Sequence, residues 1–438
     1  MRRALLSALL LLTTLPANAA EPPPQRAWPR IRKARIQQLL PAAMERAQVD
    51  AWVVLCRENA NDPLAAHIGC ENAGSPAAFL FLKQKEGVRS IALSPSGEAR
   101  ALQDVGTHDE VISLERGVEL YTRVAARLSE AKPRRIAVNS SRKLAVADGL
   151  SATQRERLVE ALPAALRGRL ISSEELVFEW LSVKLPEEVE IMRRAAALTA
   201  SLQDEAYRTV VPGKTRDSDV ARFLKKRMAE LGVGDGWQPD QNPNVNSGPD
   251  RGHSHATDRV IQPGDFIQTD FGIQVEGMWV TDIQRFAYVL APGETRPPKE
   301  ALEKWEKSKK GSRVALAALK PGVRGYDVDK AQRDWMREVG SEPVPWGTGH
   351  PVGYWAHDVG PALSGAQTGK PPEGWATRTI RPGQVFAFDG FFAWKLATPG
   401  ETKTLSVEEM AVVTEKGAEY LIPPQEELLL IASPAPAR

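Results

Sequence analysis

Between residues 30 and 175 the chain alternates short apolar runs with amphipathic stretches. Ala51-Trp52-Val53-Val54-Leu55, Ala78-Phe79-Leu80-Phe81-Leu82, Ser90-Ile91-Ala92-Leu93 and Arg135-Ile136-Ala137-Val138 are short enough, and rich enough in β-branched and aromatic residues, to predict strands. Ile36 to Met44 and Val118 to Leu128 predict helices; in the second, Val118, Tyr121, Val124 and Leu128 share one face. The pattern is that of an α/β domain, and it holds no cluster of histidines or carboxylates. A long helix is expected to open at Leu185-Pro186. Pro suits the first turn, Glu187 and Glu188 suit the positive end of the helix dipole, and Val189 and Met192 follow at helical spacing. A domain boundary is therefore expected at 175–184.

Beyond it the pattern repeats. Pro212-Gly213 leads into Asp219-Val220, Met228 and Leu231-Gly232, and Pro321-Gly322 leads into Asp327-Val328, Met336 and Val339-Gly340. Ile261-Gln262-Pro263-Gly264 precedes Asp270, and Ile380-Arg381-Pro382-Gly383 precedes Asp389, each Asp nine residues after its Ile. Two matches in one order imply a duplicated αβ half with a site at the seam. Phe266 to Ile273 alternates as a strand, Gly277 marks a turn, and Val280-Thr281-Asp282-Ile283 begins a return strand ending at Leu290. Asp is disfavoured in strands, yet one stands in each arm of this hairpin.

Composition adds limits. At 438 residues, 42% hydrophobic and 26% charged, the chain is ordinary for a globular protein of two or three domains. Net charge is +2, and Arg2 and Arg3 supply it within a segment expected to be removed; no basic face suggests nucleic acid. Those arginines, the apolar run Ala4 to Leu15 and Ala17-Asn18-Ala19 form a secretory signal over residues 1–20. The run is shorter than the roughly 20 residues of a membrane helix, so the expectation is a periplasmic or secreted chain with no membrane attachment after cleavage. Cys56 and Cys70, fourteen residues apart, are equally consistent with a disulfide and with two buried thiols.

Four of the six histidines fall in two groups, Gly252-His253-Ser254-His255 and Gly349-His350-Pro351-Val352-Gly353 running to His357-Asp358. With Asp270 and Asp282, Asp389 and Glu408 complete a set of four carboxylates and an imidazole. That donor set suits two divalent ions, which together polarise a carbonyl and activate water for peptide or amide hydrolysis. Gly232-Val233-Gly234-Asp235-Gly236 follows a helix and reads as a C-cap and turn, not a nucleotide loop. There is no Gly-x-Ser-x-Gly elbow and no His-Glu-x-x-His.

These segments resemble the creatinase, aminopeptidase P, prolidase and methionine aminopeptidase family of pita-bread fold. Asp270-Phe271-Gly272, Gly277 and Thr281-Asp282-Ile283-Gln284-Arg285 resemble its double-Asp hairpin, His350 to Gly360 its histidine motif, and Glu408 its last Glu. Arg35 to Glu58 and Ile136 to Leu150 resemble the N-terminal domain of aminopeptidase P and creatinase. The resemblance implies an α/β (α+β) fold, with a creatinase-like domain over 30–178 and a pita-bread domain over 184–432. It implies Asp270, Asp282, His350, Asp389 and Glu408 as ligands of two Mn, Co or Zn ions, with Asp389 also counted in the catalytic set. His253 (preferred to His255) and His357 become auxiliary catalytic histidines. The implied substrate is a short peptide cut at its N-terminal bond, Xaa-Pro included, and the implied assembly admits a homodimer. The alternative is a creatinase-like amidinohydrolase or a peptide-binding relative without metal. This chain departs from the family at Asp389-Gly390, where Glu-Pro is usual, and by one extra residue between Gly277 and Asp282. It departs again at Ser406, where proline-cleaving members carry Arg, and at Trp346, where aminopeptidase P often has His.

Overall fold

A computed structural model describes residues 27–70, 76–115, 119–249, 255–369, 371–396 and 398–434. The signal segment 1–20 lies outside them, as do His253 and Val118. Among the described residues no helix is long and apolar enough to cross a membrane.

The first part is a six-stranded sheet built from β1 (Ala51–Cys56), β2 (Ala77–Lys83), β3 (Val88–Pro95), β4 (Glu110–Leu114), β5 (Ile136–Val138) and β6 (Leu170–Ser172), in the order β4-β3-β2-β1-β5-β6. The four expected strands are present. The two edge strands, β4 and β6, were not read from the sequence: β6 has three residues, and β4 is half-exposed along most of its length. The central strand β1 is apolar throughout because both its faces are covered. Trp52, Val54 and Cys56 face one core with Phe79 and Phe81, against α1 (Trp28–Gln38), α2 (Leu40–Arg46) and the short α3 (Ala65–Ile68). Ala51, Val53 and Leu55 face another with Leu80, beneath α5 (Leu120–Ala131) and α6 (Ala152–Ala161); α4 (Ser96–Val105) lies beside β3 and β4. The short α7 (Ala164–Arg167) and α8 (Glu174–Leu181) follow. Cys56 and Cys70 are joined in a disulfide, with Cα atoms 6.5 Å apart.

The sequence repeat is a structural repeat. After α9 (Pro186–Arg208) and α10 (Asp217–Leu231) come β7 (Gly234–Asp235), β8 (Asn244–Ser247), β9 (Phe266–Phe271), β10 (Ile273–Val275), β11 (Trp279–Val280) and β12 (Ile283–Val289). After α11 (Lys299–Ala318) and α12 (Gly325–Val339) come β13 (Gly349–Pro351), β14 (Val385–Phe388), β15 (Phe392–Lys395), β16 (Thr402–Leu405), β17 (Glu409–Thr414), β18 (Gly417–Tyr420) and β19 (Leu429–Ile431). One sheet runs β19-β12-β9-β8, the other β13-β14-β17-β18. The same contacts recur in each half. Gly213 N–H donates to Ile261 O at 2.8 Å and Gly322 N–H to Ile380 O at 2.9 Å. Arg216 bridges Val260 as Arg324 bridges Thr379, and Gly232 and Gly340 end α10 and α12 with φ of +65° and +77°. Each helix pair covers its own sheet with a separate apolar core.

The hairpin carrying the first two aspartates departs from the expected continuous return strand. β9 stops at Phe271, β10 and β11 pair with each other and, through β10, with β7, and Thr281-Asp282 lie between strands. The break is steric. A Cβ on Gly272 would lie 2.1 Å from Thr281 O, so the two chains touch there, and Thr281 Oγ1 accepts from Ile273 N at 3.0 Å.

Candidate metal centre

Register brings the acids together. In the β9–β12 ladder Asp270 stands opposite Gln284, so Asp282, two residues before Gln284, lies on the same side as both. In the other half Phe388 pairs with Glu409, which sets Asp389 against Glu408 just past the ladder, while His350 pairs with Ala387, two residues from Asp389 on that same face. Phe386 and Phe388 point the other way, into the core beneath α12. Met410 shares the cleft side, and its Sδ accepts from Asp282 N at 3.4 Å, tying one half to the other.

All five predicted ligands line one cavity of about 1010 Å3. Asp282, His350 and Glu408 each offer a ligand atom within 4.8 Å of the others, and Asp270 and Asp389 flank them. The carboxylates are 2–7% exposed. Burial first, then Asp270 and Asp389, hold the Asp282 carboxyl well above its ordinary range. Burial, then Asp282, Asp389 and Asp270, do the same to Glu408. Among the described residues Glu408 Oε2 is buried without a hydrogen-bond partner. Four like charges out of water, one with an orphaned oxygen, fit divalent cations as the missing countercharge. The neighbouring Glu409 faces away and is paired with Arg285 at 3.0 Å, so only one acid of the Glu408-Glu409 pair belongs to the cleft.

Asp389 keeps its place despite its short side chain. Gly390 has φ +59°, an angle closed to proline, and its N–H donates to Asp389 Oδ1 at 2.7 Å. A Cβ there would also meet Gln332 Oε1 at 1.9 Å. The His357 ring stands perpendicular to His350 with centroids 4.3 Å apart. His255 lines the cavity, whereas His253 lies outside the described residues. The two remaining described histidines belong to the core: burial lowers His108 to about 4 and drives His67 well below its usual value.

Two features escaped the sequence reading. The cavity wall is aromatic (Trp237, Trp346, Tyr354, Trp355 and Phe391), and only spatial proximity gathers these residues. Behind Tyr354 and Trp355 lies a buried ionic cluster. Arg35 Nη1 donates to Glu188 Oε2 at 2.6 Å, and Arg35 Nη2 to Trp180 O at 2.7 Å. Tyr354 Oη and Trp279 Nε1 both donate to Glu188 Oε1, at 2.5 and 3.2 Å. Lys184 Nζ is 3.0 Å from Asp358 Oδ2, an oxygen that also accepts from Tyr354 N at 3.0 Å. The loop presenting His357 is thus fastened to α1 and to the start of α9.

A model of metallopeptidase family M24 matches residues 190–415. A protein described as probable dipeptidase PepE of Mycobacterium tuberculosis is 27% identical over 252 residues, which are 57% of this chain and 60% of that protein. The Xaa-Pro dipeptidase of Pyrococcus furiosus is 26% identical over 250 residues, 56% of this chain and 65% of the relative. The aligned part thus spans less than two thirds of these relatives. Among solved structures, an Xaa-Pro dipeptidase from Bacillus anthracis superposes with TM-score 0.66 at 20% identity, covering 92% of this chain and all of that one. Dipeptidase PepE from Mycobacterium ulcerans gives 0.64 at 21%, covering 92% and 99%. Likeness at that identity establishes the pita-bread fold. The family match encloses both halves of the repeat and every one of the five cavity residues at their seam, and on it the chain belongs to metallopeptidase family M24.

Proposed function

We propose that the chain is an exported peptidase that hydrolyses the N-terminal bond of short peptides, Xaa-Pro bonds among them, with two divalent ions. Asp270, Asp282, His350, Asp389 and Glu408 would hold the ions, Mn, Co or Zn. The observation that carries this is the group of four buried carboxylates around His350, with Glu408 Oε2 left without a hydrogen-bond partner among the described residues. Bound there, the ions supply the positive charge that polarises a peptide carbonyl and activates water. The protein's own part is to fix five donors from two sheets at one point, and to wall the substrate with Trp237, Trp346 and Phe391. His357, beside His350 and open to the cavity, is placed to donate to the oxyanion as the carbonyl is attacked. His253 is proposed for the same task from its place in the sequence. A metal-free binding protein has no use for these buried like charges, which favours the peptidase reading. The relatives' names, probable dipeptidase and Xaa-Pro dipeptidase, point the same way.

The test is hydrolysis of a panel of Xaa-Pro and non-proline dipeptides and tripeptides, with Mn, Co and Zn supplied singly. Cleavage at the first bond is expected. His357→Ala should lower turnover about 100-fold or more with metal content unchanged. Inactivity with every ion would overturn the peptidase reading, and loss of metal from His357→Ala would make that residue a ligand. Export is proposed from residues 1–20. N-terminal sequencing of the mature chain should find Ala20 or Glu21 first, and a retained Met1 would refute it.

A further inference from the structure

The polar side chains behind the carboxylates form a line with one direction. Lys403, 2% exposed, donates from Nζ to Asn246 Oδ1 at 3.1 Å. Asn246 Nδ2 donates to Gln268 Oε1 at 3.4 Å, and Gln268 Nε2 to Gln284 Oε1 at 2.5 Å. Ser406 Oγ accepts from Gln268 Nε2 at 3.0 Å and donates to the same Gln284 oxygen. At the end of the line Gln284 Nε2 faces Asp389 Oδ2 at 3.4 Å. All five of these residues are buried. An ammonium can only donate and a carboxylate can only accept. With one at each end, every amide between them is oriented, and the NH2 of Gln284 must face the acids.

We propose that Gln284 is a positioning residue for the metal centre: clamped through its carbonyl by Gln268 and Ser406, it aims its amide at Asp389, and Lys403 fixes the direction of the line. The inference rests on the cleft being a metal site. Asp389 receives one donor on each oxygen, Gly390 N–H on Oδ1 and the Gln284 amide on Oδ2, and this fixes the rotation of its carboxylate. A short side chain needs that restraint, since it must meet the ion without the freedom of an extra methylene. Ser406, where the family's proline-cleaving members carry Arg, acquires a use: its hydroxyl locks the oxygen of Gln284.

The test is calorimetric titration of the metal-stripped full chain with Mn(II), for wild type, Gln284→Leu, Lys403→Met and Ser406→Ala. Gln284→Leu should bind about 10- to 100-fold more weakly, as removal of groups that orient metal ligands does elsewhere. Lys403→Met and Ser406→Ala should weaken binding in the same direction and by less. Wild-type affinity in Gln284→Leu overturns the proposal. If that variant does not fold, Ser406→Ala, which loses one hydroxyl, decides, and unchanged affinity there overturns it equally. Failure of wild type to bind Mn(II), Co(II) or Zn(II) would instead refute the metal-site reading beneath it.

Discussion

Glu408→Gln is expected to abolish tight metal binding and to lower peptide turnover by roughly three orders of magnitude, while making the metal-free protein more stable. The loss follows from the several kcal/mol of transition-state stabilisation that a positioned divalent ion supplies, at about 1.4 kcal/mol per tenfold. The gain follows from the removal of one of four mutually repelling carboxylates. Asp282 and Glu408 are both raised above their ordinary values of 3.8 and 4.5, so the folded, metal-free chain holds protons that the unfolded chain has released. Its stability is therefore greatest below about pH 4 as far as these two groups contribute, and it falls as pH rises toward their raised values. Added metal should cancel that fall. Thermal melts of chelated and metal-loaded protein at pH 5 and pH 8 check both signs. A chelated wild type whose pH dependence matches that of Glu408→Gln would contradict this reading.

The second large effect is expected behind the cavity wall, at the buried ion pair that supports Tyr354. Arg35→Met should cost about 3–5 kcal/mol, because it leaves Glu188, fully buried, without the guanidinium that faces it at 2.6 Å. Glu188 also anchors Tyr354, so the variant should raise KM through disorder of the loop that bears Trp355 and His357. Arg35→Met/Glu188→Gln should recover part of the loss, since no charge is then stranded. Denaturant melts of the two singles and the double form the cycle. Strictly additive losses would show that the pair is not coupled.

Asp270 and Asp389 were legible because a duplicated half repeats its spacing, and a repeat is a signal that single-residue chemistry lacks. Asp282 was legible as the second acid of the hairpin and His350 from its flanking glycines and the histidine seven residues on; Glu408 joined them as a further acid, and the family resemblance then supplied the five ligand roles. The register was not legible: nothing in Phe266 to Leu290 says that Asp270 pairs with Gln284, or that Gly272 and Thr281 press together and interrupt the hairpin. Glu188 was read as an acid at a helix start, and it does accept from Leu185 N at 2.8 Å. Its burial against Arg35, 153 residues earlier, is a tertiary fact with no local trace. The line from Lys403 to Gln284 was hidden for the same reason, since its members come from four separate strands or strand ends.

The backbone at Gly390 has a consequence for how this sequence can change. Its positive φ excludes proline, and the space a side chain would need is filled by Gln332, whose Oε1 accepts from Thr348 Oγ1 at 2.7 Å and whose Nε2 donates to Gly311 O at 3.1 Å. Gly311 in turn has Phe392 where its own Cβ would be. Placing Glu-Pro at 389–390 therefore demands coordinated change in α11, α12 and β15, because any side chain at 390 alone meets Gln332. Position 390 is thus a mutational lock: the cleft walls can vary around Asp-Gly, whereas a side chain at 390 cannot enter without moving Gln332.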